Sequence, residues 1–185
     1  GFAGWHRGKG YDAASQVTVE DLYAATPAAT QSLLAMLGSW ASVAGTIRLR
    51  LMQPDPVALQ ISTALAREDT RQPWMLRVVD AAGAVAARGW PSYLDGSVDL
   101  YLVDDVCPWH SGPHRLVVAG GEARLEPGGE GTVRLTARGF AMWYAGAAQP
   151  AVLRQAGFLT GGDARTDEFL AAATAGPAPT LLDYF

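Results

Sequence analysis

Apolar and polar positions along the first quarter of the chain set out strands around one helix. Residues 1–6 read as a strand, Gly8-Lys9-Gly10 as a turn and residues 17–23 as a second strand. Thr26 is a good N-cap, and Pro27 suits the first helical position, where its missing N–H costs nothing. Leu33, Leu34, Leu37, Trp40, Ala41 and Ala44 then fall on one helical face, which Gly45 ends. In residues 46–51 the pattern turns to alternation, with Ile47, Leu49 and Leu51 on one side and Arg48 and Arg50 on the other, as a half-buried strand requires.

Between Pro54 and Pro73 the pattern weakens. Asp55-Pro56 interrupts it, a short apolar helix is expected over residues 57–66, and residues 67–71 are charged, so a domain boundary falls here. A new cycle then begins: a strand over 74–79, an N-cap at Asp80, an Ala-rich helix over 81–88 and a C′ glycine at Gly89. Strands follow at 98–103, 115–118, 122–125 and 132–135, the middle two joined through Gly120-Gly121. Thr136 caps a helix carrying Phe140, Trp143 and Tyr144. Further helices are expected at 150–156 and, capped by Asp163, at 164–175, where Gly176-Pro177 stops the last one. The fold class expected is α+β, with no fixed repeat.

Composition narrows the function. The 185 residues are 49% hydrophobic, enough for a real core, and the formal net charge is −4. Fourteen Lys and Arg spread without clusters give no drive toward phosphate backbones, so nucleic acid is not an expected partner. No apolar run approaches the ~20 residues of a membrane span, and the N-terminus lacks a signal pattern. One cysteine, Cys107, permits no intrachain disulfide and suits a reducing compartment; the cytoplasm is the expected location. The first residue is Gly1, leading straight into apolar residues, and a cut upstream is the expected origin.

Candidate chemistry is sparse. Cys107, His110 and His114, with Asp104 and Asp105 upstream, have spacings that raise a zinc site. Pro108 and Pro113 kink the segment and the fourth ligand would have to be a carboxylate, so no metal is expected, and Cys107 reads as a small buried hydrophobe. Gly8-Lys9-Gly10 and Pro127-Gly128-Gly129 precede no phosphate-loop helix, and no Gly-x-Ser-x-Gly elbow is present. The acetyl-CoA turn, Arg/Gln-x-x-Gly-x-Gly/Ala opening a helix, is approached from Arg7 and from Arg154 and fails at the last position both times. Phe140, Trp143 and Tyr144 read as core rather than a ligand pocket. The chain ends apolar, Thr180-Leu181-Leu182-Asp183-Tyr184-Phe185, which predicts a docked terminus whose α-carboxylate gains basicity as it loses hydration.

Taken in order, Val19-Glu20-Asp21-Leu22-Tyr23-Ala24-Ala25, the Pro27-capped helix, Trp74-Met75-Leu76-Arg77-Val78-Val79-Asp80 with its Ala-rich helix, and Leu182-Asp183-Tyr184-Phe185 resemble the enhanced-intracellular-survival (Eis) family of acetyltransferases. Members of that family consist of an acetyl-CoA-binding GNAT domain, a second GNAT-like domain and a domain similar to sterol carrier protein 2. The resemblance implies that residues 1–55 end the second GNAT-like region, 56–71 form a linker and 72–185 form the sterol-carrier-like domain. The first domain, its acetyl-CoA site and its general-acid tyrosine then lie outside this chain. It further implies N-acetylation of a primary amine of aminoglycoside, polyamine or lysine type. The carboxylate of Phe185 would be the general base, Asp183 and Tyr184 would lie at the substrate, and the assembly would be a homo-oligomer, a hexamer. The alternative, from another class, is a lipid-binding or interaction module built on the sterol-carrier-like fold.

Overall fold

A computed structural model describes residues 1–52 and 54–182. The chain forms two compact units, one of Gly1–Pro73 together with Thr180 and the described residues after it, the other of Trp74–Pro179. Each mixes sheet and helix, an α+β architecture.

In the first unit β1 (Phe2–Arg7) and β2 (Gln16–Tyr23) are antiparallel, with a register shift at Gly4/Trp5. The chain then crosses through α1 (Pro27–Gly38) to β3 (Thr46–Leu49), which runs parallel to β2. A parallel pair needs such a crossover because a tight turn reverses direction. The helix starts where the capping chemistry predicts: Thr26 Oγ1 accepts the Ala29 N–H at 3.2 Å, and Pro27 occupies the first turn. Val17 and Val19 from β2 bury against Leu37 and Ala44, with Ile47 and Leu49 packed beside them. The helix ends at Gly38 rather than at Gly45, and a 3₁₀ turn over Ser39–Ser42 follows. There Ser39 Oγ donates to the Met36 carbonyl, which helps unwind the last turn.

The helix expected over 57–66 is replaced by a single 3₁₀ turn, Ala58–Gln60. Asp55 accepts the N–H groups of both Met52 and Val57, and Ser62 accepts that of Ala64, so local side chains capture the backbone. Leu59 and Leu65 stay exposed. An apolar helix with no surface to pack against is too short to persist by propensity alone.

The second unit is built on a five-stranded sheet in the order β6-β5-β4-β7-β8. Its strands are β4 (Gly96–Val103), β5 (Gly112–Ala119), β6 (Glu122–Pro127), β7 (Val133–Thr136) and β8 (Leu159–Gly161). All neighbours are antiparallel except β4 and β7. Gly120 and Gly121 take φ of 60° and 88°, the left-handed pair that a two-residue hairpin turn requires between β5 and β6. Alternate residues Val98, Leu100 and Leu102, with Leu116, Val118, Val133 and Leu135, face the core. The intervening positions carry polar pairs, including Asp99 opposite Arg115.

Helices α2 (Ala81–Ala87), α3 (Ala137–Ala145), α4 (Pro150–Gln155) and α5 (Ala164–Ala173) complete this core. Three of them open on the caps the sequence names: Asp80 accepts from Gly83, Thr136 from Gly139 and Asp163 from Thr166. Three features depart from the sequence reading. Strand β8 has no counterpart in the sequence reading, because three residues are too few to show alternation. Residues 74–79 form no strand. Gly89 is also not a left-handed cap, since α2 leaves through Arg88 in an extended conformation.

Candidate functional site

Asp104 leaves the end of β4 and opens the connection to β5. Its side chain is only 3% exposed. Oδ1 accepts the Val106 and Cys107 N–H groups at 3.0 and 2.9 Å and a guanidinium N–H of Arg77. Oδ2 lies 3.0 Å from His110 Nε2, which carries the proton because a carboxylate only accepts. Ser111 closes the loop, its Oγ donating to the Asp104 carbonyl and accepting the Asp104 N–H. Burial by itself would raise the Asp104 pKa. The Cys107 and Val106 N–H groups, His110 and Arg77 outweigh it and hold the carboxyl down to about 2.

The proline expected to keep Cys107 and His110 apart instead brings them together. Pro108 starts a 3₁₀ turn, Pro108–His110, and the ligand-type atoms of Asp104, Cys107 and His110 lie within 4.8 Å of one another. His114 does not join them; its Nε2 donates to the His110 carbonyl at 2.9 Å. Much of this donor set is committed, although His110 Nδ1 is buried without a hydrogen-bond partner. Both Asp104 oxygens hold N–H groups, the Arg77 guanidinium supplies the neutralising cation, and it also lies 3.6 Å from the buried Cys107 Sγ. The geometry is that of a latch tying residue 77 to the β4–β5 connection, with Trp109 Nε1 adding a bond to the Val79 carbonyl at 2.8 Å. In the sequence Asp104 stands out only beside Cys107 and His110, and nothing local links it to Arg77, 27 residues away.

The latch makes a stability prediction. Asp104→Asn should weaken the second unit by about 1.5–3 kcal/mol, the range for hydrogen bonds to a charged group. Because the folded pKa is depressed, the wild-type advantage is full above the ordinary value of 3.8 and fades as pH falls toward about 2. Urea unfolding at neutral and acid pH checks it. An Asn variant that trails wild type equally at pH 7 and pH 2 contradicts it.

Other polar positions are structural. Asp99 is held at a pKa of about 2, first by Arg115 and then by the Glu130 N–H. It borders a shallow cavity of about 260 Å³ with Arg115, Glu130 and Thr132. Neither approach to an acetyl-CoA turn opens a helix. Arg7 ends β1, donates to Gly10 O, and its loop folds back through Gly8 N–H to Gln16 O. Arg154 lies within α4 and holds Asp167 through two bonds, at 2.7 and 2.8 Å. At the N-terminus of α1, Pro27 removes one N–H and Thr26 occupies another, so little is left to hold a pyrophosphate.

The rings of Phe140 and Trp143 are buried and 5.7 Å apart, and Trp143 stands 5.8 Å from Trp90. Trp143 Nε1 donates to the Leu170 carbonyl and the Tyr144 hydroxyl to the Ala84 carbonyl. These rings are core, as the sequence reading has them. Phe185, Asp183 and Tyr184 lie outside the described residues. The tail leading to them belongs to the first unit, where Thr180 Oγ1 lies 3.1 Å from Met52 Sδ and Leu182 is half-buried. No helix among the described residues is long and apolar enough to cross a membrane.

The fold therefore defines a two-unit α+β protein: a small βαβ sheet, then a five-stranded domain with a closed aromatic core. The chain belongs to the sterol carrier protein domain family, which matches residues 81–181, and the acetyltransferase (GNAT) domain family matches residues 1–78. Among solved structures it is similar to a GCN5-related N-acetyltransferase from Kribbella flavida, 36% identical over 92% of this chain with a TM-score of 0.73. A GCN5-related N-acetyltransferase from Anabaena variabilis is 25% identical over 92% of the chain, with a TM-score of 0.82. Eis1 from Mycobacterium abscessus shares the fold, at 22% identity over 93% of the chain and a TM-score of 0.73. The chain spans 44% of the length of each of these three structures. No curated protein matches it.

Proposed function

We propose that this chain is the C-terminal portion of an acetyl-CoA-dependent N-acetyltransferase of the Eis type, acting on a primary amine of aminoglycoside, polyamine or lysine character. One observation carries the reading. An acetyltransferase (GNAT) match at 1–78 is followed by a sterol carrier match at 81–181, and a GCN5-related N-acetyltransferase is similar along 92% of the chain at 36% identity. On this reading residues 1–55 end a GNAT-like domain, 56–71 link and 72–185 form the sterol-carrier-like domain. The acetyl-CoA site and the general acid belong to an upstream domain, and the protein works as a cytoplasmic homo-oligomer, a hexamer.

The chemistry needs a proton acceptor. At neutral pH a primary amine is mainly an ammonium, whose nitrogen has no lone pair to attack the thioester carbonyl. The Phe185 α-carboxylate takes that proton; the freed nitrogen then forms the amide as the carbon–sulfur bond breaks and the coenzyme leaves as its thiol. Asp183 adds negative charge that draws in a cation, and Tyr184 lines the same site. The return of the tail to the first unit at Thr180 supports this delivery. The lipid-carrier alternative loses support, because Phe140 and Trp143 are packed in the closed core.

Calorimetric titration tests the division of labour. Residues 1–185 should show no saturable acetyl-CoA binding, while the full-length protein binds it and acetylates a polyamine. Micromolar binding by residues 1–185 overturns the placement of the cofactor site, and a full-length protein that acetylates no amine overturns the function.

A further inference from the structure

The connection between β4 and β5 carries a sulfur and an imidazole nitrogen that the latch leaves unused. Cys107 caps the Pro108–His110 turn, its carbonyl accepting the His110 N–H. Residues three apart in a 3₁₀ turn lie one above the other, so Cys107 and His110 share a side of it. Cys107 Sγ, a ring nitrogen of His110 and a carboxylate oxygen of Asp104 lie within 4.8 Å of one another. The His110 side chain is only 10% exposed. Its Nε2–H is held by Asp104 Oδ2, so in the neutral ring Nδ1 is a bare lone pair, and that atom is buried with no hydrogen-bond partner. An unsatisfied buried polar atom is costly, and native structures hold few.

The surrounding chemistry points to the ligand. An imidazole whose other N–H rests on a carboxylate is the form in which histidine meets a metal ion, because the carboxylate fixes the ring and raises the basicity of the free nitrogen. Cys107 adds sulfur and is 4% exposed, which admits an ion and excludes larger reactants. Sulfur together with imidazole favours Zn²⁺ over the oxygen-seeking Mg²⁺ and Ca²⁺. We propose that Cys107 Sγ and His110 Nδ1 ligate a single Zn²⁺ ion, with Asp104 as the carboxylate behind the imidazole and water in the remaining positions. Binding forms the sulfur–zinc bond and releases the thiol proton to solvent. The latch frames the site, since the Asp104 oxygens already hold N–H groups and leave sulfur and Nδ1 as the donors. The Arg77 guanidinium, 3.6 Å from Sγ, balances the negative charge that the thiolate and Asp104 bring together. His114 also has a buried, unpaired Nδ1, with its Nε2 on the His110 carbonyl, but it lies outside the 4.8 Å group.

Equilibrium dialysis of the full-length protein against Zn²⁺, after chelator treatment, tests the site. Wild type should take up one more ion per chain than a double variant carrying Cys107→Ala and His110→Gln. Asp104→Asn, which keeps both ligands, should weaken binding by about 10–100-fold, the usual loss when the group behind a metal-bound histidine is changed. Co²⁺ in place of Zn²⁺ should give a sulfur-to-metal charge-transfer band. Cys107→Ala should remove that band while the circular dichroism stays that of the folded protein, which separates a lost ligand from a lost fold. His114→Gln should keep the ion. Equal Zn²⁺ uptake by wild type and the double variant overturns the proposal. So does an ion that is lost in His114→Gln and kept in His110→Gln.

Discussion

A single glycine added after Phe185 is expected to lower the kcat of the full-length enzyme by about 10²–10⁴-fold, the usual size of a general-base contribution, with the melting temperature unchanged. The extension turns the α-carboxylate into a neutral peptide carbonyl and moves the new charge one residue away. A peptide carbonyl cannot accept a full proton at neutral pH, so the loss falls in kcat rather than in KM alone. Deleting Phe185 is a poorer test, because it removes a bulky side chain together with the charge. Turnover that survives the extension removes Phe185 from the mechanism and leaves the tail as packing on the first unit, where Thr180 already touches Met52.

The second large effect is in the aromatic core. Trp143→Ala should destabilise the second unit by about 3–5 kcal/mol, the range for truncating a fully buried aromatic side chain. For a chain of this size that is a fall of about 10 °C in melting temperature. Trp143 has no exposed surface, packs against Trp90 and Phe140, and when removed takes from the Leu170 carbonyl its indole donor, leaving the longer bond from Thr174 Oγ1. Tyr144→Phe, which loses only the hydroxyl bond to Ala84, should cost about 1 kcal/mol. The contrast separates a core from a ligand pocket: a Trp143→Ala protein of wild-type stability would mean that the ring lines a cavity after all.

What the sequence by itself determined is what is settled within a few residues. The N-caps at Thr26, Asp80, Thr136 and Asp163 each bind an N–H three residues on, so cap and helix start are written together. Strands β4 to β7 announced themselves because burial of one sheet face imposes period two. The ordered resemblance of several short segments along the chain pointed to the acetyltransferase reading that the family matches support in its coarser form.

Only the tertiary structure decided the rest. Residues 74–79 have the alternation of a strand, but a strand exists only with a partner, and none of the described residues supplies one. Residues 57–66 have helical propensity, but without an apolar surface to bury against, Asp55 and Ser62 take the backbone first. The Asp104 latch joins residues 27 positions apart, and Cys107 and His110 met because a proline that breaks regular structure also starts a tight turn. In each case propensity offered a conformation, and the free energy of burial or pairing at a distance selected among the offers.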